Sequence, residues 1–350
     1  MTRGILKTID ALETSGLLQG RDRGPLDEVA KRYAVAITPS LVELIDRNDS
    51  ADPIARQFVP DARELLTAPE DLADPIGDHA HEPVKGIVHR YADRVLLKLV
   101  HACPVYCRFC FRREMVGPGG EAPLASETLE AALNYIASRS EIWEVILTGG
   151  DPFIVPARVA RSVTQRIEAI EHVKIIRWHT RVPIAEPSRV TDDFVDAIRS
   201  RGKTIYVVLH VNHARELSDD ACRAIARLRS AGIPLLSQSV LLRGVNDNAE
   251  ILGELFRSLA VLGIKPYYLH QMDLAPGTSH FRVPLEEAQD IYSNLKRQIS
   301  GIALPNFVID IPNGFGKISA ARTHIFNERG GILITDDSGE KHAYPPSRER

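Results

Sequence analysis

The chain has 350 residues, of which 44% are hydrophobic and 25% charged, with a formal net charge of −3 at pH 7. This composition is ordinary for a soluble globular protein with a large core, and its charge gives no reason to expect nucleic acid or an acidic membrane as a partner. No run reaches the roughly 18 apolar residues of a membrane span, and the first twenty residues have the pattern of an amphipathic helix without a signal-peptide core. We therefore expect a cytoplasmic protein.

Two regions of different pattern follow one another along the chain. Residues 1–85 have apolar residues at helical spacing and predict helices, with a linker rich in proline and acidic residues from Thr67 to Pro83. From Val95 onward, short β-branched runs alternate with amphipathic segments. The predicted strands lie at 95–100, 144–149, 174–179, 204–211, 234–242, 265–270 and 306–311, and the predicted helices at about 127–139, 158–171, 191–200, 217–231, 249–262 and 285–299.

Six strand–helix units in series predict a parallel sheet with right-handed crossovers. Because polar residues gather at the strand ends, a partial (βα)6 barrel of TIM type fits this pattern better than a doubly wound sheet. The predicted fold class is therefore α/β. Its predicted regions are a helical region 1–85, a barrel core 86–300 and a C-terminal segment 301–350.

Three cysteines follow the first strand of this core. Cys103, Cys107 and Cys110 have the spacing C-x3-C-x2-C. Three thiolates can hold three irons of a four-iron cluster and leave the fourth iron bare, where a small molecule can chelate it. The spacing therefore favours an iron–sulfur cluster with an open coordination site.

The alternatives are a zinc site or a disulfide. Structural zinc usually takes four ligands, often from two cysteine pairs, although His89 or His101 could complete such a site here. The remaining cysteine, Cys222, stands in a helical pattern and is predicted to be a small half-buried helix residue. Four cysteines in 350 residues do not indicate a disulfide-dependent fold.

Further polar residues stand at the ends of the predicted strands. The second strand ends in Gly149-Gly150-Asp151, where glycines allow a close backbone approach and the aspartate caps the turn. Later strands end in His179-Thr180-Arg181 and His210-Val211-Asn212-His213. Because such ends meet at one mouth of a barrel, they indicate a shared site.

The cysteine motif resembles that of the radical S-adenosylmethionine (SAM) superfamily, since the aromatic Phe109 stands directly before Cys110. The resemblance implies a [4Fe-4S] cluster on the three cysteines, with SAM on the open iron. Gly149-Gly150-Asp151 is similar to the turn that receives the amino group of SAM. Phe109, His210 and Arg181 are expected to contact SAM.

By the sixth strand the resemblance narrows to one family. KPYYLHQMDLAPGTSHFRVP (265–284) and IDIPNGFGK (309–317) resemble the lysine 2,3-aminomutases, which combine SAM radical chemistry with pyridoxal 5′-phosphate (PLP). The resemblance covers about Gly86 to Lys317. It implies an isomerase that converts L-lysine to β-lysine by a shift of the amino group.

This resemblance assigns roles to individual residues. Lys317, in a glycine-rich turn, corresponds to the lysine that forms a Schiff base with PLP. Asp273 and Asp310 correspond to two aspartates that hold the substrate's side-chain ammonium, and their charge selects a cationic amino acid. The guanidinium of Arg112 is expected to pair with the substrate carboxylate. The PLP phosphate is expected to be held by Arg90, Arg94 and Gln238.

The chain departs from typical members of this family in its cysteines. LRGVNDN has Asn248 where a zinc-binding cysteine is expected, and no cysteine follows Cys222. A structural zinc and the oligomer it links are therefore not expected. In its short length, its missing zinc ligands and its His270, the chain resembles the branch that makes (R)-β-lysine for elongation factor P.

Two other functions stay open at this stage. An aminomutase for arginine is compatible with the paired aspartates, because arginine is also cationic, and a zinc-binding module without catalysis is the alternative from another class. The resemblance also implies a reductant such as flavodoxin or ferredoxin. It does not say whether the substrate is free or protein-attached lysine, and it assigns no role to His213 or His270.

Overall fold

A computed structural model of the chain describes residues 4–116, 124–328, 331–335 and 340–344. The strands are β1 (Ile87–Tyr91), β2 (Arg94–Val100), β3 (Glu144–Gly149), β4 (Ile175–Thr180), β5 (Thr204–His210), β6 (Leu235–Val240), β7 (Ile264–His270), β8 (Asn306–Ile311), β9 (Gly316–Ser319), β10 (Ile325–Glu328), β11 (Gly331–Thr335) and β12 (Lys341–Tyr344). The helices are α1 (Ile9–Thr14), α2 (Arg23–Arg32), α3 (Pro39–Leu44), α4 (Pro53–Phe58), α5 (Ser126–Ala137), α6 (Ala157–Glu168), α7 (Val182–Ala185), α8 (Asp192–Ile198), α9 (Asp219–Ser230), α10 (Ala249–Val261) and α11 (Leu285–Gln298). None of these described helices is long and apolar enough to cross a lipid bilayer.

The main sheet has nine strands in the order of the chain, from β1 to β9. Strands β2 to β8 run parallel to their neighbours, while β1 and β9 pair antiparallel at the two ends. Helices α5, α6, α8, α9, α10 and α11 follow successive parallel strands. The predicted α/β partial barrel with six strand–helix units is confirmed.

Alternation along the strands separates a helix-covered face from a face that lines the lumen. In β6, Leu235, Ser237 and Ser239 are buried, while the residues between them, including Gln238, are only half-buried. Register places Gln238 beside His210 of β5 and Tyr268 of β7. These three side chains therefore form one row on the lumen face.

The outer face of the sheet packs against the helices. Trp178 of β4 is fully buried there and contacts Phe153 and Phe194 edge-on, with ring centroids 5.8 and 6.5 Å away. Each fully buried side chain of this kind contributes about 1.5–3 kcal/mol relative to an exposed one. This apolar layer holds the strand ends in fixed positions.

Strands at the edges and at the C-terminus were not predicted. β1 and β9 carry polar residues and pair with the barrel on one side only, so they lack the apolar runs of the central strands. β10 to β12 form a separate three-stranded antiparallel sheet. The division of the chain into three regions at residues 85 and 300 stays a prediction.

The N-terminal helices are short and form a second core. Helix α1 begins after the capping residue Thr8, and α2 ends at Arg32, after which the chain is extended. The core includes Leu12, Leu26 and Phe58, and it also takes in Val105 from the cysteine loop. The cysteine loop is thus packed on the N-terminal region.

A buried carboxylate strengthens this attachment. Glu64 accepts hydrogen bonds from Arg108, at 2.5–3.1 Å, and from Arg113. All three side chains are buried. Burial opposes ionisation of Glu64, but the two guanidinium groups outweigh it and lower the pKa of the carboxyl. Arg108 lies between Cys107 and Cys110, so this network fixes the shape of the cysteine loop.

Replacement Glu64→Gln should destabilise the protein strongly, because it leaves two buried guanidinium groups without a counter-charge. Breaking a buried ion pair in this way costs about 3–5 kcal/mol. Urea unfolding followed by circular dichroism measures the shift in midpoint. The control Glu28→Gln breaks only the exposed pair with Lys31 and should change stability by less than about 1 kcal/mol. Equal midpoints for the two variants would contradict this account of the loop.

Candidate active site

Two adjoining cavities lie in the lumen of the barrel. A cavity of about 200 Å³ is lined by the three cysteines, and a larger one of about 620 Å³ is lined by Lys317 and Asp310. Both cavities are lined by Asp273 and His270. The sequence-predicted residues thus line two adjoining cavities with shared walls at the carboxyl ends of the strands.

The three cysteines lie in the loop after β2, as predicted. Burial is the main cause that raises the pKa of each thiol, to about 11 for Cys107. Within the described residues, no three His, Cys, Asp or Glu side chains are arranged to hold a single metal ion. A cluster has a different requirement, because each cysteine binds a different iron and the sulfurs need not converge on one point. Iron binding would release the thiol protons.

The turn Gly149-Gly150-Asp151 after β3 packs directly against the start of the cysteine loop. The backbone N–H groups of Gly150 and Asp151 donate to the carbonyl oxygens of Val100 and Ala102. A Cβ on either glycine would collide with one of these carbonyl oxygens. The glycines are therefore needed for the close approach of two backbone segments.

The carboxylate of Asp151 is used within the protein. It accepts hydrogen bonds from the Thr180 hydroxyl at 2.8 Å, the Arg181 backbone N–H at 2.7 Å and the Phe153 backbone N–H at 3.0 Å. Asp151 therefore joins the ends of β3 and β4. Burial raises the pKa of Asp151, although these donors oppose the shift.

Arg181 lies beside a cluster cysteine. Its Nη1 is 3.3 Å from Cys107 Sγ, and its Nη2 donates to Gln57 at 2.7 Å and to Glu216. Burial would lower its pKa, but the neighbouring Cys107 and Glu216 outweigh burial and raise it. The guanidinium is therefore a fixed positive charge at the wall of the cysteine cavity.

Two half-buried histidines at this cavity each have a buried ring nitrogen without a partner in the described structure. These atoms are His179 Nε2 and His210 Nδ1. The pKa of each imidazole is well below its usual range, first because of burial and then because of nearby positive side chains. Phe109 stacks on His210 at 6.2 Å between ring centroids. Neutral imidazoles with unsatisfied nitrogens suit a polar organic ligand such as SAM.

Lys317 lines the larger cavity. The prediction that Lys317 lies in the glycine-rich turn is wrong. The turn is the preceding Asn313–Phe315, where Asn313 and Gly314 have φ values of 65° and 84°. Lys317 itself lies in β9, where it pairs with Asp310 of β8. The reversal of the chain brings the Lys317 ammonium onto the Asp310 carboxylate and 3.2 Å from His270 Nδ1.

The two predicted aspartates have opposite pKa shifts. Burial raises the pKa of Asp273 to about 7, and the negative charge of Asp310 adds to the rise. For Asp310, burial is outweighed by the neighbouring His270 and Lys317 side chains, so its pKa falls to about 2. Asp310 is therefore ionised. A further cation bound beside Asp273 would lower the pKa of this carboxyl group and favour loss of its proton.

Arg112 and Arg90 are held by Asp78, a residue that sequence reasoning missed. Arg112 Nε and Nη2 both donate to Asp78 Oδ2, at 2.9 and 2.8 Å, and Arg90 lies 3.5 Å from the other carboxylate oxygen. A guanidinium has five N–H donors, so Arg112 keeps donors for a ligand. Arg94, which packs on the Tyr91 ring, and Gln238 also line the larger cavity.

His89, one of the two histidines considered for a zinc site, hydrogen-bonds Tyr135 at 2.8 Å. His213 caps the turn 214–216 through its Nδ1. Cys222 lies in α9, half-buried as predicted, with its Sγ 3.6 Å from the Leu217 carbonyl oxygen. None of these three residues lines either cavity.

Comparison with known proteins decides the family. A sequence model described as "Radical SAM superfamily" matches residues 97–255. The L-lysine 2,3-aminomutase of Clostridium subterminale is 35% identical over 332 residues, which cover 95% of this chain and 79% of that protein. The chain belongs to the lysine 2,3-aminomutase family.

Other relatives agree in name and length. The L-lysine 2,3-aminomutase of Escherichia coli K12 is 36% identical over 87% of this chain and 86% of its own, and that of Buchnera aphidicola is 34% identical over 91% and 93%. Membership of this family makes the chain an isomerase with radical SAM chemistry and implies a [4Fe-4S] cluster and SAM. The three cysteines at the cavity wall and the unsatisfied histidine nitrogens fit these two groups.

Sequence reasoning did not identify several residues that support the site of this lysine 2,3-aminomutase family member. Glu64 and Asp78 lie in the predicted helical region and linker, where acidic residues are common and give no local signal. Glu216 lies in a short turn after β5. Their only sequence signal is indirect, since Arg108, Arg112 and Arg181 each need a buried counter-charge once they are buried.

Substitution Gly150→Ala should displace the cysteine loop of this aminomutase and lower its bound iron, because the added methyl would overlap the Ala102 carbonyl oxygen. Overpacking of this kind costs about 1–3 kcal/mol. Iron and acid-labile sulfide per chain, measured after anaerobic reconstitution, give the result. In Gly301→Ala the added methyl meets no atom within 4 Å, and its iron content should not change. Full iron loading of the Gly150 variant would contradict the proposed close packing.

Proposed function

We propose that this chain converts L-lysine to β-lysine by moving the amino group from the α to the β carbon. The observation that carries the proposal is that the two cavities adjoin and share lining residues. Lys317, Asp273 and Asp310 face the same lumen as the three cysteines, and Asp273 lies at the junction. A substrate bound at the junction would be within reach of both cofactors.

Two cofactors would supply the reactive groups. The cluster on Cys103, Cys107 and Cys110 with SAM supplies a carbon radical, and PLP on Lys317 supplies a π-system across which the amino group can shift. The protein's contribution is then to bind, orient and exclude water. Phe109 and His210 form the wall that would cover SAM, and Arg181 fixes positive charge beside Cys107.

PLP fits the larger cavity in volume and in donors. A cavity of about 620 Å³ can enclose a cofactor of this size, and Lys317 offers an amine at its wall. Arg90, Arg94 and Gln238 are the proposed donors to the phosphate. Arg90 also lies 3.8 Å from Asp310, which ties this region to the substrate aspartates.

The selectivity for lysine would come from the two aspartates. The Lys317 ammonium already rests on Asp310, so the site accommodates an ammonium group on an alkyl chain. When Lys317 is bound to the cofactor, the ammonium of the substrate would take its place between Asp310 and Asp273. Arg112, held in orientation by Asp78, would bind the substrate carboxylate with its remaining donors.

The use of the product is the finest part of the proposal. We propose that the β-lysine is the (R) isomer and serves elongation factor P, with electrons from a flavodoxin or ferredoxin. The support is Asn248, which stands where a zinc-binding cysteine of the family is expected.

Anaerobic incubation tests the activity directly. The reconstituted protein is supplied with SAM, PLP, dithionite and one amino acid from a panel of lysine, arginine and glutamate, followed by chiral amino-acid analysis. We expect β-lysine from lysine and no product from glutamate, whose side chain the aspartates would repel. Absence of β-lysine from protein that carries both cluster and PLP would overturn the proposal, and a product from arginine alone would reassign the substrate.

Substitution Lys317→Ala should abolish the visible absorbance of covalently bound PLP and leave the absorbance of the iron–sulfur cluster intact. The reason is that Lys317 lies in the larger cavity, while the cysteines line the other. Absorbance spectra before and after removal of free PLP measure both signals. Persistence of covalent PLP in this variant would show that another amine carries it.

Substrate affinity should depend on the ionisation of Asp273. Because its pKa is about 7, lysine should bind more tightly as the pH rises through 7. At one pH unit below the pKa, binding should be roughly tenfold weaker than at alkaline pH, where Asp273 is fully ionised. Asp273→Asn should raise the KM for lysine roughly 10–100-fold, the value of one charge-assisted hydrogen bond, and remove this pH dependence. Asp290→Asn, which changes an exposed residue paired with Arg322, is the control. An unchanged KM in the Asp273 variant would contradict its role in binding the ammonium.

A further inference from the structure

We propose that His270 is the proton acceptor for Lys317: its Nδ1 takes the proton that the Lys317 ammonium must lose before it reacts, and returns it when the amine is released. This inference rests on the proposed role of Lys317 in binding PLP and deepens it. No sequence motif assigned a function to His270, yet it lines both cavities at their junction.

The contacts of the Lys317 amine support this role. Nζ is bonded to the Asp310 carboxylate, lies 3.2 Å from His270 Nδ1, and is 5.5 Å from the centroid of the Tyr268 ring. A proton can be passed directly only to an atom within hydrogen-bond reach. Among these described contacts, the choice is therefore between a carboxylate and an imidazole.

The geometry determines the protonation state of His270. An ammonium group has three donors and no acceptor, so the Nδ1 atom that faces it must carry a lone pair. His270 is therefore the neutral tautomer with its proton on Nε2. Burial and the positive charge of Lys317 lower the pKa of His270, in agreement with this neutral form.

Asp310 is a poor acceptor of the same proton. Its pKa of about 2 makes the carboxylate a far weaker base than an imidazole, and protonation would remove the charge that binds Lys317. Transfer to His270 has the opposite consequence. The new imidazolium lies 3.6 Å from the Asp310 carboxylate, which stabilises it as the lysine loses its charge.

The groups around His270 make this exchange local. Lys317 and Asp310 face it from β9 and β8, Tyr268 contacts its ring edge-on from its own strand at 5.5 Å, and His179 and His210 line the same cavity. Asp273 follows it three residues later and lines the same cavities. The total charge of the Lys317, His270 and Asp310 group is the same before and after transfer.

The step balances without an oxidant or a reductant. The Lys317 ammonium gives one proton to His270 Nδ1, and the resulting amine attacks the aldehyde carbon of PLP. A carbon–nitrogen double bond forms, and the aldehyde oxygen leaves as water. When a substrate amine later displaces Lys317, the imidazolium returns the proton to Nζ, so the ammonium is restored.

The test measures the rate at which protein lacking PLP attaches added PLP covalently. Wild type, His270→Gln and His270→Ala are mixed with PLP across a pH series, and visible absorbance reports the attachment. We expect attachment in the Gln variant to be roughly 100-fold slower than in wild type near neutral pH. The wild-type rate should fall as His270 becomes protonated at acid pH, and this inflection should be missing from the variant.

Two further arms separate a proton-transfer role from a structural one. Added imidazole should accelerate attachment in His270→Ala, where it can enter the space left by the side chain, and should not accelerate the wild type. His172→Gln changes a histidine bonded to the Ile136 carbonyl oxygen outside both cavities and should behave as wild type.

Each outcome decides one question. An unchanged rate and an unchanged pH inflection in His270→Gln would overturn the proposal, as would slow attachment that imidazole does not rescue. If the wild type itself attaches no PLP, the proposed function of Lys317 fails instead. Cluster absorbance and circular dichroism of each variant show whether the fold is retained, and the imidazole rescue of His270→Ala keeps the test decisive if the Gln variant is unstable.

Discussion

Glu64 holds the cysteine loop to the N-terminal region through Arg108 and Arg113. The part of the loop that the structure describes around the cysteines, residues 101–116, has no helix or strand, so its shape must come from contacts with other parts of the chain. The Glu64 carboxylate and its two arginine partners are buried, so removing the carboxylate or the arginines would leave an uncompensated charge in the interior. The backbone N–H of Arg108 also donates to the Gln57 carbonyl oxygen at 2.8 Å, which adds a second anchor beside the first.

The same arrangement recurs around the two cavities. Asp78 holds Arg112 and Arg90, and Glu216 holds Arg181, so these three guanidinium groups at the cavity walls are each fixed by a buried carboxylate. Arginine side chains lose much rotational freedom on binding, and orientation in advance reduces that loss. These pairs therefore prepare the lumen for anionic parts of ligands without leaving unbalanced charge in the protein.

The barrel and the cysteines could be predicted from the sequence because their signals are local. The β-branched strand runs, the helical spacing and the C-x3-C-x2-C spacing are each contained in a short window. The location of Lys317 in β9 was missed, because the turn before it depends on the positive φ of Asn313 and because β9 is defined only by pairing with β8. Asp78 was missed for a related reason: its partners lie 12 and 34 residues away in the chain.

The attachment of the cysteine loop to residues 36, 57 and 64 has a consequence for biosynthesis. A ribosome makes the chain from its N-terminus, so these anchoring residues leave the exit tunnel before Cys103, Cys107 and Cys110 do. The surface on which the loop is shaped can thus exist before the cysteines emerge. Lys317 is made more than 200 residues after the cysteines, so the anchoring residues and the cysteines are both made well before the strand that carries Lys317.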